Sequence, residues 1–81
     1  MKVQNAVNKL TKLGMTVTEN QGHFTATKTD MSDVIEFSRN GGSDNITCIR
    51  VRRSNEQDDF QTDYFAGVYA DNMAQAIRLA S

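Results

Sequence analysis

VIEFSRNGGSDNITCIRVRR, residues 34–53, decides the fold. Residues 34–39 and 46–53 alternate apolar with polar positions and are rich in Val, Ile, Phe and Thr, the pattern of strands buried on one side. Between them Asn40-Gly41-Gly42-Ser43-Asp44 gathers residues that reverse a chain at little conformational cost. The turn predicts an antiparallel hairpin with Ile35 opposite Ile49 and Phe37 opposite Thr47. Ile35, Phe37, Ile49 and Val51 then share one face, and Val34, Glu36, Cys48, Arg50 and Arg52 share the other.

Working outward, residues 15–18 and 23–28 also alternate, and Asn20-Gln21-Gly22 between them supplies turn chemistry. This hairpin pairs Val17 with Phe24 and Met15 with Ala26, all four on one face. On the C-terminal side a polar loop, residues 54–59, leads to a fifth run over residues 64–70. A hairpin centred near Gln57 sets Ile49 opposite Phe65 and Thr47 opposite Gly67. That adds Phe65 to the first face and Tyr64, Ala66 and Val68 to the second. At the two ends the period becomes helical. Val3, Val7, Leu10 and Gly14, widened by Ala6 and Leu13, predict a helix over residues 2–13, with Gly14 just past its end and Lys12 in its last turn. Met73, Ala76, Ile77 and Ala80 predict a final helix capped by Asp71 or Asn72. The expected architecture is α+β: an antiparallel sheet of about five strands with both terminal helices on one face, in the order α-β-β-β-β-β-α.

With 81 residues there is room for a single domain, residues 1–81, with one core. The lone cysteine, Cys48, forms no internal disulfide, which points to a reducing, cytoplasmic setting. The opening MKVQNAVNKL lacks the apolar run of a signal peptide, and nowhere do about 18 apolar residues follow one another, so no membrane role is expected.

Catalysis by a nucleophile requires a base in reach, and Cys48 with His23 supplies the one candidate pair. They fall in different hairpins, and nothing in the sequence brings them together. Asp58 and Asp59 are adjacent acids in a polar loop, where solvated carboxylates are the ordinary outcome. One Cys and one His fall short of a zinc site, and Glu56, Asp58, Asp59 and Asp63 lack the spacing and glycine of a calcium loop. Gly41-Gly42 joins two strands rather than a strand and a helix, so it reads as a hairpin turn and not a phosphate cradle. The expectation is a protein that is not an enzyme and holds no cofactor or metal.

Charge is more informative. Residues 1–53 carry eight bases and five acids, whereas residues 54–81 carry one base and five acids, a balance of +3 against −4. Arg50, Arg52 and Arg53 end the basic part, and Glu56, Asp58, Asp59 and Asp63 begin the acidic one. Simple cross-strand pairing accounts for such neighbours at a few tenths to about 1 kcal/mol each. The alternative is a partner surface, because Arg and Tyr among apolar residues match the composition of protein interfaces. Its expected residues are Glu36, Arg50, Arg52, Arg53 and Tyr64 on the uncovered face, with Asp58, Asp59 and Asp63 at the hairpin tip. The expected partner is a larger protein, such as a nucleic-acid-handling complex whose basic groove meets the acids, or a second copy of the chain.

In size, slight acidity and want of catalytic residues, the chain resembles the small orphan proteins of phages and mobile elements, anti-CRISPR and other anti-defence inhibitors among them. That resemblance implies stoichiometric inhibition of a host defence complex. The layout is also similar to the double-stranded-RNA-binding fold, which implies phosphate contacts from Lys9, Lys12, Arg50, Arg52 and Arg53. Two features depart from that pattern: the final helix offers Arg78 alone, and there is an extra strand. The net charge of −1 also argues against a polyanion as partner.

Overall fold

A computed structural model describes residues 1–31, 33–39, 41–53 and 67–80 of the chain. Helix α1 (Val3–Lys12) is followed by strands β1 (Thr16–Asn20), β2 (His23–Thr27), β3 (Asp33–Arg39), β4 (Ile46–Arg53) and β5 (Gly67–Ala70), and then by helix α2 (Met73–Ala80). The five strands form one antiparallel sheet in sequential order, a meander with both helices on one face. This is the expected α+β architecture.

Both helix ends follow from the residues named above. Gly14 sits at φ +86° just beyond α1. There the amide of Met15 donates to the carbonyl of Leu10 at 3.1 Å and that of Gly14 to Thr11 at 3.0 Å, the paired bonds of a Schellman motif. The motif brings Leu10 and Met15, both buried, into the core. For α2 the cap is Asn72: its Oδ1 accepts the Gln75 amide at 2.9 Å, while Gln75 Oε1 accepts the Asp71 amide at 2.6 Å.

The core gathers Val3, Ala6 and Leu10 from α1, Met73, Ala76 and Ala80 from α2, and Phe24, Ala26, Ile35, Phe37, Ile49 and Val51 from the sheet. Phe24 and Phe37 lie directly opposite each other on β2 and β3, their rings stacked with centroids 5.0 Å apart. Helix α2 packs on β3, β4 and β5, and α1 packs beside β1. Among the described residues no helix is long and apolar enough to cross a membrane.

Registers differ from the sequence expectation in an instructive way. Val17 pairs with Ala26, not Phe24, and Phe37 pairs with Ile49, not Thr47. The first hairpin closes on two residues, Gln21 and Gly22, both at positive φ as a type I′ turn requires. In the second, an irregularity between Ser38 and Arg39 leaves Thr47 as the extra residue of a bulge on β4. Both differences amount to two residues, and every side chain up to Ser38 and Cys48 keeps its predicted face; beyond the bulge Ile46 comes to the helix side. The last pairing differs by five: Ile49 faces Ala70 rather than Phe65. An odd shift exchanges faces. Val68 therefore lies on the helix side, opposite Val51, whereas the expectation put it on the open face. Gly67 and Tyr69 take the open side.

Candidate functional site

The uncovered face is built from alternate residues of each strand. Toward β1 it is a threonine array, with Thr16 opposite Thr27 and Thr18 opposite Thr25. Toward β5 it becomes charged. Thr25, Glu36, Arg50 and Tyr69 line up across β2, β3, β4 and β5, with His23, Ser38 and Cys48 in the row beside them. Val34 and Arg52 lie in the row on the other side.

Glu36 is the centre of this arrangement. Although no helix covers it, it is only 5% exposed, the one charged residue that is buried among those described. Four donors surround it. Its Oε1 accepts Arg50 Nη2 at 2.8 Å, Arg50 Nε at 3.2 Å and Arg52 Nε at 2.8 Å, and its Oε2 lies 3.1 Å from His23 Nε2. Arg50 makes further contacts besides these. Burial pushes the Glu36 carboxyl up. The hydrogen bonds from Arg50 and His23 and the charges of Arg50 and Arg52 outweigh it, and the net displacement is downward from the ordinary 4.5. Glu36 is thus a fixed anion. An ionised carboxylate only accepts, so neutral His23 carries its proton on Nε2, and Nδ1 then accepts the Ser38 hydroxyl 3.4 Å away.

Ser38, His23 and Glu36 so stand in the order of a hydroxyl, a base and an orienting carboxylate. Because two arginines already hold Glu36, that carboxylate orients the imidazole and balances charge rather than competing for its proton. The sheet also does what the sequence did not suggest: His23 and Cys48 occupy one row with Ser38 between them, and all three line a cavity of about 210 Å³ with Glu36, Arg50 and Tyr69. A larger cleft of about 340 Å³ adjoins it and shares Cys48 and Tyr69. Its origin is a break in sheet pairing. Among the described residues β5 pairs with β4 along Ile49–Arg52, and at the far end Met1–Val3 pair with Asp44–Ile46. Ile46–Ile49 line the interval, with Met1, Lys9 and Met73 as its walls.

Of the residues expected at a partner surface, Glu36, Arg50 and Arg52 converge here. Arg53 ends β4, with its side chain outside the described residues, as are Asp58, Asp59, Asp63 and Tyr64 altogether. Sequence reasoning missed Ser38 and Tyr69, and named His23 only as a base for Cys48, not beside Glu36. Tyr69 was hidden by the odd shift of β5. His23 and Ser38 needed the β2–β3 pairing, which no tight turn between those strands announces. No protein-family model matches the chain, and no characterised protein and no solved structure matches it either.

Proposed function

We propose that the chain is a non-enzymatic protein-binding module that docks a larger protein on the open sheet face around Glu36, Arg50, Arg52 and Tyr69. The observation that carries this reading is Tyr69: the residue is 60% exposed at the rim of a buried ion cluster whose side chains hydrogen bonds already hold in place. An aromatic anchor beside an ordered polar platform loses little side-chain freedom on association, and such residues dominate interface energetics. Exposed Cys48 and Met1 continue the surface into the cleft. A thiol exposed in this way remains reduced in the cytoplasm. The resemblance in general character to anti-defence proteins suggests the finer reading, stoichiometric inhibition of a host defence complex that handles nucleic acid. Direct nucleic-acid binding is less well supported, since Arg50 and Arg52, two of the cations it needs, are committed to Glu36.

The test is capture of a defined partner from bacterial lysate with immobilised protein. One larger protein is expected to be enriched in fixed proportion, to be lost with Tyr69→Ala or Cys48→Arg, and to be retained with Thr18→Lys at the far edge of the same face. Capture that ignores Tyr69→Ala and Cys48→Arg removes this face from consideration.

A further inference from the structure

We infer that the outer face of α1 is a second binding surface, a stripe of three lysines that takes an acidic, amphipathic segment of a protein partner. The inference rests on the protein-binding reading for the class of partner, and it uses none of the residues around Glu36.

Charge singles out this helix. Among the lysines and arginines whose side chains are described, Lys28 is paired with Asp30, Arg39 with Glu19, and Arg50 and Arg52 with Glu36, while Arg78 makes contacts of its own. The three that remain, Lys2, Lys9 and Lys12, are exposed, have no carboxylate within ion-pair distance, and belong to α1 or its N-cap. At about 100° and about 1.5 Å per residue they fall in a stripe about 80° wide, separated along the axis by about 10 Å and about 4.5 Å. Asn5 lies between them on the same stripe, and α1 contains no acid. Helix stability accounts for only part of this. Lys9 and Lys12 suit the C-terminal end of the dipole, but Lys2 stands at the N-cap, makes no capping hydrogen bond and puts a cation at the positive end. An exposed residue that works against its own helix is the kind of local inconsistency that functional positions show.

Three ammonium groups in line call for anionic groups in line, which a nucleic-acid duplex and an acidic polypeptide both present. The neighbours decide between them. Leu13, 45% exposed, follows Lys9 and Lys12 at the end of α1, and Met1, 57% exposed, lines the cleft of about 340 Å³ together with Lys9. Exposed apolar side chains gain nothing from a phosphate backbone, whereas they bury area against the apolar side of an amphipathic peptide. The net charge of −1 gives no long-range attraction for a polyanion, while a short acidic segment needs only local complementarity. Asp71 lines the same cleft and bounds the positive surface on that side.

The experiment titrates the whole chain at low salt, following its amide resonances, with a capped helical peptide carrying Glu at i, i+3 and i+7 and Leu at i+4. The same peptide with Gln for Glu and a short DNA duplex are the comparisons. Saturable shifts are expected at Lys9, Lys12 and Leu13 with the Glu peptide, with a Kd on the order of 0.1–1 mM. Raising the salt from about 0.05 M to about 0.5 M should weaken binding several-fold. The triple variant Lys2→Gln, Lys9→Gln, Lys12→Gln should weaken it roughly tenfold, and the same three changes to Arg should preserve it. Leu13→Ala should weaken it about threefold. All four positions are exposed, and retained dispersion of the amide resonances shows that each variant is folded. Equal binding of the Gln peptide, tighter binding of the duplex, or undiminished binding by the triple Gln variant overturns the assignment. Tyr69→Ala is expected to bind the peptide at full strength, because the stripe does not use that residue. Failure of the peptide while partner capture still depends on Tyr69 disproves the stripe and leaves the open-face reading standing. Binding of the peptide alongside capture that ignores Tyr69 does the reverse.

Discussion

On the helix-covered face of the sheet, Phe24, Ala26, Ile35, Phe37, Ile49 and Val51 meet α1 and α2 in one apolar core, and any of several pairings of these residues would bury similar area. On the open face, a few ångströms away through the same backbone, Glu36 has one arrangement of partners, and each is a particular atom on a particular strand. The first face needs only that side chains point the right way, which is a matter of strand parity. The second needs exact neighbours, because a buried charge without its partners is costly whereas a buried methylene has no preferred partner.

The largest expected effect tests the first half of this contrast. Phe37 is fully buried and stacked on Phe24, so Phe37→Ala removes a ring from the middle of the core and should cost about 3–5 kcal/mol in urea denaturation. Tyr69→Ala, on the open face, should cost no more than about 0.5 kcal/mol. Similar losses at the two positions would mean that the open face is as much a structural core as the covered one.

Glu36 comes next. Glu36→Ala leaves Arg50 and Arg52, whose side chains are only 13% and 14% exposed, without their carboxylate, and should cost about 3 kcal/mol. Replacing Glu36, Arg50 and Arg52 together by Leu, Met and Met should cost much less, since no charge is then left buried. If the triple variant is the worse of the two, the cluster contributes net stability rather than specific geometry. The sign of the pH dependence follows from the downward displacement of Glu36. The contribution of the group is fully present above its unfolded value near 4.5 and is lost as pH falls through the lower folded value. Stability measured from about pH 6 downward should therefore fall less steeply in Glu36→Gln than in the parent.

The same contrast explains how much could be read from the residues alone. The covered face was legible because a pairing error of two residues leaves every side chain on its side, and the two tight hairpins were in error by that much. The ion cluster was not. The sequence register sets Glu36 opposite Cys48, whereas the actual one sets it opposite Arg50, and only then do two guanidinium groups reach one carboxylate. The bulge at Thr47 absorbs one residue of that difference and the centre of the turn the other, and Asn40-Gly41-Gly42-Ser43-Asp44 gives no sign of the bulge. The parity of β5 is not legible because the sequence of residues 54–66 contains no residue pair that marks a turn. His23 reaches Glu36 through the β2–β3 pairing, across a connection with neither glycine nor proline to fix its register.

The smallest effect concerns the backbone that seats the covered face. Gly14 holds φ +86°, and through the Schellman bonds it places Leu10 and Met15 in the core. A Cβ at this position would meet Lys28 Cε at 3.5 Å, an ordinary contact with the end of a flexible side chain, so space is not what glycine provides. What it provides is the left-handed conformation, which costs other L-residues about 1–2 kcal/mol and asparagine less. Gly14→Ala should accordingly lower stability by about 1 kcal/mol, and Gly14→Asn by roughly half as much. Both changes are far smaller than Phe37→Ala, because the core they seat can still close around a strained turn. An asparagine variant no better than alanine would show that the cost arises from crowding at Lys28. The covered face would then depend on its loops for packing as well as for direction.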